Sequence, residues 1–262
     1  MKKIAIIGAG NMGGAIARGM LKGSLVSDEA ITISDVSQDT LNRLGSLSNK
    51  WRLTRANTEA VEAADIIILA VKPWLVQKIA EEVAGGIDYK KQIIVSIAAG
   101  IEFEELKKNF SPAAILFRLI PNTAIDVMES VTTITSLNAS EKQIADISAI
   151  FDEMGKVFYV DNETQLNAYM SLSSCGIAYA FRYIRAAMEG GVEMGVYPDV
   201  AKKVVMQTLK GAVKLLEEND SHPEVEIDKV TTPGGITIQG LNEMEANGFS
   251  NAVVKGLKKS NI

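Results

Sequence analysis

The sequence holds one cysteine, one histidine and six prolines in 262 residues, and no run of lysine or arginine exceeds two residues. With Cys175 alone, no intramolecular disulfide can form, which fits a reducing compartment. With His222 alone, a zinc site would have to be built mostly from carboxylates, and no such cluster is visible; no metal is expected. The same scarcity removes Ser-His-Asp and Cys-His catalysis, for which no Gly-x-Ser-x-Gly elbow is present. His222, beside Pro223 in a polar stretch, reads as a capping or surface residue, and Cys175 as a small apolar one. The formal charge of −5 and the lack of basic runs argue against nucleic acid or an anionic membrane as the main partner. No apolar run approaches the ~18 residues of a membrane span. Met1-Lys2-Lys3 leads straight into a strand pattern, without the apolar region and cleavage site of a signal peptide. The expectation is a soluble cytoplasmic protein.

What is present is a regular alternation through the first half. Residues 3–7 form a β-branched run that ends at glycines, the pattern of a buried strand. Helical spacing follows at Ala15, Ile16, Gly19 and Met20. Further strands are expected at 31–34, 51–54, 65–71, 92–96 and 114–119, with helical segments near 39–44, 57–63, 73–83 and 102–108 between them. Such short alternation predicts a mostly parallel sheet covered on both faces. The pattern changes after Tyr159. One amphipathic stretch runs from near Glu163 toward Met194, broken around Ser173 to Gly176. Gly195 is placed to end it, and Pro198 to open the next helix, in which Val200, Val204, Val205, Leu209, Val213 and Leu216 share a face. A last helix is expected near 250–257. A boundary near residue 160 gives a Rossmann-type dinucleotide-binding domain over 1–160 and an all-helical domain over 161–262.

The loop Gly8-Ala9-Gly10-Asn11-Met12-Gly13 lies between a strand and a helix, where Gly-x-Gly-x-x-Gly spacing has physical content. Gly8 permits the tight turn, Gly10 lets backbone approach a pyrophosphate, and Gly13 lets helix and strand pack closely. The helix amino terminus offers free N–H groups and a positive dipole end to phosphates. A glycine-rich turn without a ligand is the alternative. Asp35 ends the second strand about 20 residues on, where a carboxylate can hydrogen-bond a ribose 2′-OH. That favours NADH, while Ser34 and Ser37 keep NADPH open; Asp35 as a plain cap of the next turn is the structural alternative. Pro121-Asn122, at a strand's carboxyl end, reads equally as a ligand-side loop and as a simple turn. Thr231-Thr232-Pro233-Gly234-Gly235-Ile236-Thr237 can form an anion nest or merely connect two helices.

Taken in order, these motifs resemble pyrroline-5-carboxylate reductase, the enzyme that completes proline biosynthesis. The resemblance spans residues 3–249. It rests on the glycine loop, Asn57 with Glu59-Ala60-Val61, Ala70-Val71-Lys72-Pro73, Ser96-Ile97-Ala98-Ala99-Gly100, Arg118-Leu119-Ile120-Pro121-Asn122-Thr123 and Val230 to Thr237. It implies an eight-stranded Rossmann domain and a helical substrate-binding and dimerisation domain that interlocks with a second subunit, hence a homodimer or larger homo-oligomer. It places Asn57 by the adenosine ribose, Ala70 and Lys72 along the cofactor, and Ala98 and Asn122 near the nicotinamide. It assigns the substrate carboxylate to the loop of Thr232, Gly234 and Gly235, the ring nitrogen to the Thr237 hydroxyl, and the pocket helix to Ser174 and Cys175. Departures gather at that helix. Where the family usually has Gly-Ser-Gly-Pro-Ala-Tyr, this chain has Ser174-Cys175-Gly176-Ile177-Ala178-Tyr179. A preceding aspartate and threonine appear as Asn167 and Met170, the serine before Pro-Gly-Gly is Thr232, and a usually small or threonine position is Ile236.

The implied chemistry is hydride transfer from NADH or NADPH to the C=N carbon of a cyclic imine. The imine nitrogen is basic enough to arrive protonated, so catalysis is mostly orientation, in keeping with the lack of a histidine or carboxylate pair. A hydroxyacid dehydrogenase of similar first domain would need a lysine on the pocket helix, and residues 167–183 contain none. A non-catalytic nucleotide-binding paralogue is the rival from another class, kept open by the altered helix.

Overall fold

The computed structural model describes residues 2–261. Eight strands form one sheet: β1 (Ile4–Ile7), β2 (Ile31–Ser34), β3 (Arg52–Thr54), β4 (Ile66–Leu69), β5 (Ile93–Ser96), β6 (Ile115–Ile120), β7 (Ser130–Leu137) and β8 (Gly155–Tyr159). Their order is β3-β2-β1-β4-β5-β6-β7-β8, and every pair is parallel except β6 with β7. The period of two along each strand fills two core layers. Ile4 and Ile6 enter one layer with Ile66 and Ile68, and Ala5 and Ile7 enter the other with Ile67 and Leu69.

The first layer is closed by α1 (Asn11–Lys22), α2 (Gln38–Gly45) and α6 (Glu141–Asp152), through Ile16 and Met20, Leu41 and Leu44, and Ile147 and Phe151. The second is closed by α3 (Asn57–Glu62), α4 (Val76–Val83) and α5 (Phe103–Leu106), through Val61, Ile79 and Val83, and Phe103. This is the doubly wound sheet expected from the alternation, extended by β7, α6 and β8 beyond the last strand read from the sequence. Short α7 (Leu166–Met170) packs Leu166 and Met170 on Ile120 and Val160, and a π-turn, Ser171–Cys175, follows it. The chain forms two compact units, Met1–Ser174 and Cys175–Ile262.

The second unit is helical throughout: α8 (Gly176–Glu193), α9 (Pro198–Asn219), α10 (Pro223–Lys229), α11 (Ile236–Ala246) and α12 (Phe249–Ser260). Gly195, in a left-handed conformation, follows α8, and Pro198 opens α9, as the sequence leads one to expect. Helices α8 and α9 approach where Gly191 faces Ala201, and Ala201 is the only buried residue among those described in this unit. Among the described residues no helix is long and apolar enough to cross a membrane.

Candidate active site

In a doubly wound sheet, ligands bind beyond the carboxyl ends of the strands, where the strand order reverses. Here the reversal lies between β1 and β4, and a cavity of about 710 Å³ opens there. Gly8 leaves β1 with φ +93° and donates its N–H to Ser34 O at 2.8 Å. A side chain at Gly13 is impossible, since its Cβ would stand 1.9 Å from Gly8 O. At Gly10, by contrast, a Cβ would meet nothing within 4 Å, because this glycine faces the open cavity. The first bond of α1 runs from Gly14 N–H to Gly10 O, and no side chain caps the helix. The amides of Asn11, Met12 and Gly13 are thus left for an anion.

Of the residues expected at the cofactor, Gly8, Gly10, Asn11, Met12, Asp35, Asn57, Ala70, Lys72 and Ala98 line this cavity. Gly13 is buried behind it, and Asn122 is buried next to Pro121, which does line it. Asp35 is held from two sides, accepting from Ala9 N–H at 2.7 Å and from Ser37 N–H at 2.8 Å. Ser34 donates to Asn57 Oδ1 at 2.7 Å, and Asn57 Nδ2 donates to Glu82 at 3.1 Å. Asn122 Oδ1 caps the turn of Thr123–Val127 by accepting from Ala124 N–H at 3.0 Å. That turn is tied to α1 by a two-pronged bond from Arg18 to Asp126, at 2.9 and 3.0 Å, and the guanidinium holds the Asp126 carboxyl below its usual range. Sequence reasoning named Ile97, Ile120 and Met170 only through the family motifs, and it missed Leu75 and Ile79 in the same apolar wall. Leu75 and Ile79 are four residues apart after Pro73, so helical periodicity could have found them. The contribution of α7 could not be read locally, because it depends on where the chain returns to the sheet.

Ser174, expected at the substrate, also lines the cavity and donates its hydroxyl to Pro121 O at 3.1 Å. Cys175 ends the π-turn, half-buried. In the second unit Thr232, Gly234 and Gly235 form the turn between α10 and α11, and Thr237 lies in the first turn of α11. Gly235 N–H bonds Thr232 O at 2.9 Å, Gly234 has φ +72°, and Gly235 begins α11 with no side-chain cap. Thr237 is exposed in the first turn of that helix.

A glycine loop with free helix amides, an acid at the end of β2 and an apolar wall beyond β4 and β5 together define a nicotinamide-dinucleotide-dependent oxidoreductase. The residues fit such a group: the open space at Gly10 leaves room for a pyrophosphate beside the free helix amides, and Asp35 and Asn57 bring polar side chains to the same cavity. Residues 3–100 match the family of NADP oxidoreductases described as coenzyme F420-dependent, and residues 163–261 match the pyrroline-5-carboxylate reductase dimerisation family. A pyrroline-5-carboxylate reductase of Dictyostelium discoideum is 36% identical over 99% of this chain and 91% of its own length. The pyrroline-5-carboxylate reductase structure from Coxiella burnetii is 26% identical with a TM-score of 0.90, over 99% of this chain and 96% of that one. The Plasmodium falciparum pyrroline carboxylate reductase solved with NADP bound has the same fold, with a TM-score of 0.90 at 24% identity, over 99% of this chain and 95% of that one. The chain belongs to the pyrroline-5-carboxylate reductase family.

Proposed function

We propose that the protein reduces 1-pyrroline-5-carboxylate to L-proline, with a bound reduced nicotinamide supplying hydride to the C=N carbon. The observation that carries this reading is the chemistry of the cavity wall. Its ionisable side chains are Asp35 and Lys72, and the wall formed by Ile97, Ala98, Ala99, Ile120, Pro121, Met170 and Ser174 holds no acid or base. A carbonyl reductase needs a proton donor at the reacting oxygen; a cyclic iminium brings its own proton and needs only to be oriented. In this reading Thr232, Gly234 and Gly235 hold the substrate carboxylate, and the Thr237 hydroxyl steadies the ring nitrogen. Ser174 and Cys175 shape the pocket wall, with Ser174 fixing the Pro121 carbonyl.

On the cofactor side, Gly8, Gly10, Asn11, Met12 and Gly13 take the pyrophosphate, Asp35 and Asn57 the ribose, Ala70 and Lys72 the edge, and Ala98 and Asn122 the nicotinamide end. NADH serves at least as well as NADPH, because two backbone amides fix the Asp35 carboxylate where a 2′-phosphate would meet like charge. Functionally, residues 1–160 bind the dinucleotide and 161–262 the substrate and a second copy of the chain, in a homodimer or larger homo-oligomer. A reducing, cytoplasmic setting suits the single thiol.

The purified protein should consume NADH with 1-pyrroline-5-carboxylate and not with 2-oxo acids. Turnover with neither nicotinamide, despite nucleotide binding, would return the chain to a non-catalytic role. Thr237→Ala should lower kcat/KM ~10–100-fold, or about 1.5–3 kcal/mol, while NADH binding stays unchanged. Thr237→Ser should recover much of the loss. Normal kinetics with a lowered Tm would make Thr237 only a helix-terminus residue.

A further inference from the structure

The polar chain behind the ribose end of the cavity runs beyond the residues assigned above. Asn57, the first residue of α3, is 7% exposed, and Ser34 at the end of β2 is fully buried; both line the cavity. Asn57 Nδ2 donates to Glu82 Oε2 at 3.1 Å, and Ser34 Oγ donates to Asn57 Oδ1 at 2.7 Å. An asparagine amide can be seated in two orientations, and only its partners decide which. A carboxylate carries no proton to donate, so Glu82 can face only the NH2 of Asn57. The carbonyl must then turn to Ser34, and the hydroxyl of Ser34 must donate to it. One carboxylate on α4 therefore fixes two cavity side chains.

Among the described residues no lysine or arginine forms an ion pair with Glu82. Glu82 is solvent-exposed, so water screens its charge at a distance, but its bond sets that carboxylate directly against Asn57, on the same end of the cavity as Asp35. The geometry points to Glu82 as a positioning residue that sets cofactor choice through Asn57. It locks the amide with N–H available to a ribose hydroxyl, and it adds negative charge against a 2′-phosphate. This rests on the dinucleotide reading of the cavity and not on the identity of the imine.

Glu82→Gln tests it, because glutamine keeps the length and can present N–H or C=O to Asn57, so the amide loses its single orientation. The control is Glu81→Gln. Glu81 carries the same charge one residue earlier on α4 and accepts from Gln77 at 3.0 Å, with no bond to Asn57. Dissociation constants for NADH and NADPH are read from nucleotide fluorescence, without turnover. In Glu82→Gln the NADH constant should rise ~3–10-fold and the NADPH constant should hold or fall, so that their ratio moves by about tenfold. Glu81→Gln should leave the ratio within twofold of wild type, because Glu81 is exposed like Glu82 but makes no bond to Asn57. Equal losses for both nucleotides in Glu82→Gln would mean damaged packing and overturn the inference. Equal ratio changes in the two variants would reduce it to distant charge, which also overturns it. Wild-type protein that binds neither nucleotide would remove the dinucleotide reading and this inference together.

Discussion

The two units handle similar apolar side chains in opposite ways. In the sheet unit, Ile6, Ile33, Ile67 and Val95 are wholly buried, and both faces of the central strands meet helices from the same unit. In the helical unit, Phe181 is 61% exposed, Tyr197 78% and Ile236 88%, and only Ala201 is buried among the described residues. Exposed apolar surface on this scale marks an interface, not a finished core. The sheet unit is a fold that closes on itself, whereas the helical unit supplies half of a core that a second copy completes.

The sharpest way to break the first half of that comparison is at the most buried ion pair among the described residues. Arg118 on β6, with 4% of its side chain exposed, bonds Glu163 at 2.5 Å. The same carboxylate oxygen accepts the Phe103 N–H at 2.7 Å, so Glu163 joins α5, β6 and the segment leading to α7. Glu163→Ala leaves a buried guanidinium and an amide unpaired, which costs about 3–5 kcal/mol. Urea unfolding should show that loss as a lower midpoint at unchanged slope. A loss under 1 kcal/mol would mean that water reaches Arg118 and that this part of the sheet unit is not closed.

The same contrast explains what could be read from the sequence. Strands β1, β4 and β5 are short β-branched runs buried on both faces, so composition alone marks them. β7, counted among the eight strands the resemblance implies, was not located by pattern, because Thr132, Thr133 and Thr135 are buried threonines whose hydroxyls interrupt the apolar run. β8 is an edge strand with Lys156, Phe158 and Tyr159 exposed, and it carries no clear alternation. The glycine loop was legible from its local spacing, and Asp35 from its position just after β2, although its bond to Ala9 spans 26 residues. Glu82 was not, since its contact with Asn57 spans 25 residues and needs α3 and α4 packed. The helix limits of α8 and α9 followed from Gly195 and Pro198, but how their apolar faces are covered is not local information.

The second half of the comparison can be broken by dilution. If a second copy completes the helical core, unfolding is coupled to dissociation, and each tenfold rise in protein concentration should add ~1.4 kcal/mol of apparent stability. Thermal unfolding over a hundredfold concentration range, with sedimentation to give the mass, reads this directly. A Tm independent of concentration, together with an active monomer at micromolar concentration, would show that the exposed face needs no partner.

The smallest expected effect sharpens the comparison at a corner that the helical unit closes without a core. Between α9 and α10, Glu226 accepts from Ser221 Oγ at 2.5 Å, Lys229 Nζ at 2.7 Å and Asn219 Nδ2 at 3.1 Å. The Lys229 ammonium first, then the Ser221 hydroxyl, hold its carboxyl down at about 2, against 4.5 for an unperturbed glutamate. Because the folded value lies below the unfolded one, the unfolded chain binds more protons between these limits, and stability rises with pH there. The contribution is complete above about pH 4.5 and disappears as pH falls toward about 2. The group is near solvent and screened, so the effect should be modest and should shrink further in high salt. Glu226→Gln removes the titration while keeping an oxygen for Ser221 or Lys229. Helical circular dichroism, followed from pH 5 to pH 2 in matched buffers, should fall more gently in the variant than in wild type. NADH affinity at neutral pH should be the same in both. Parallel acid profiles for the two proteins would mean that this corner is held by helix packing, and that the helical unit is less dependent on its surface contacts than its exposed face implies.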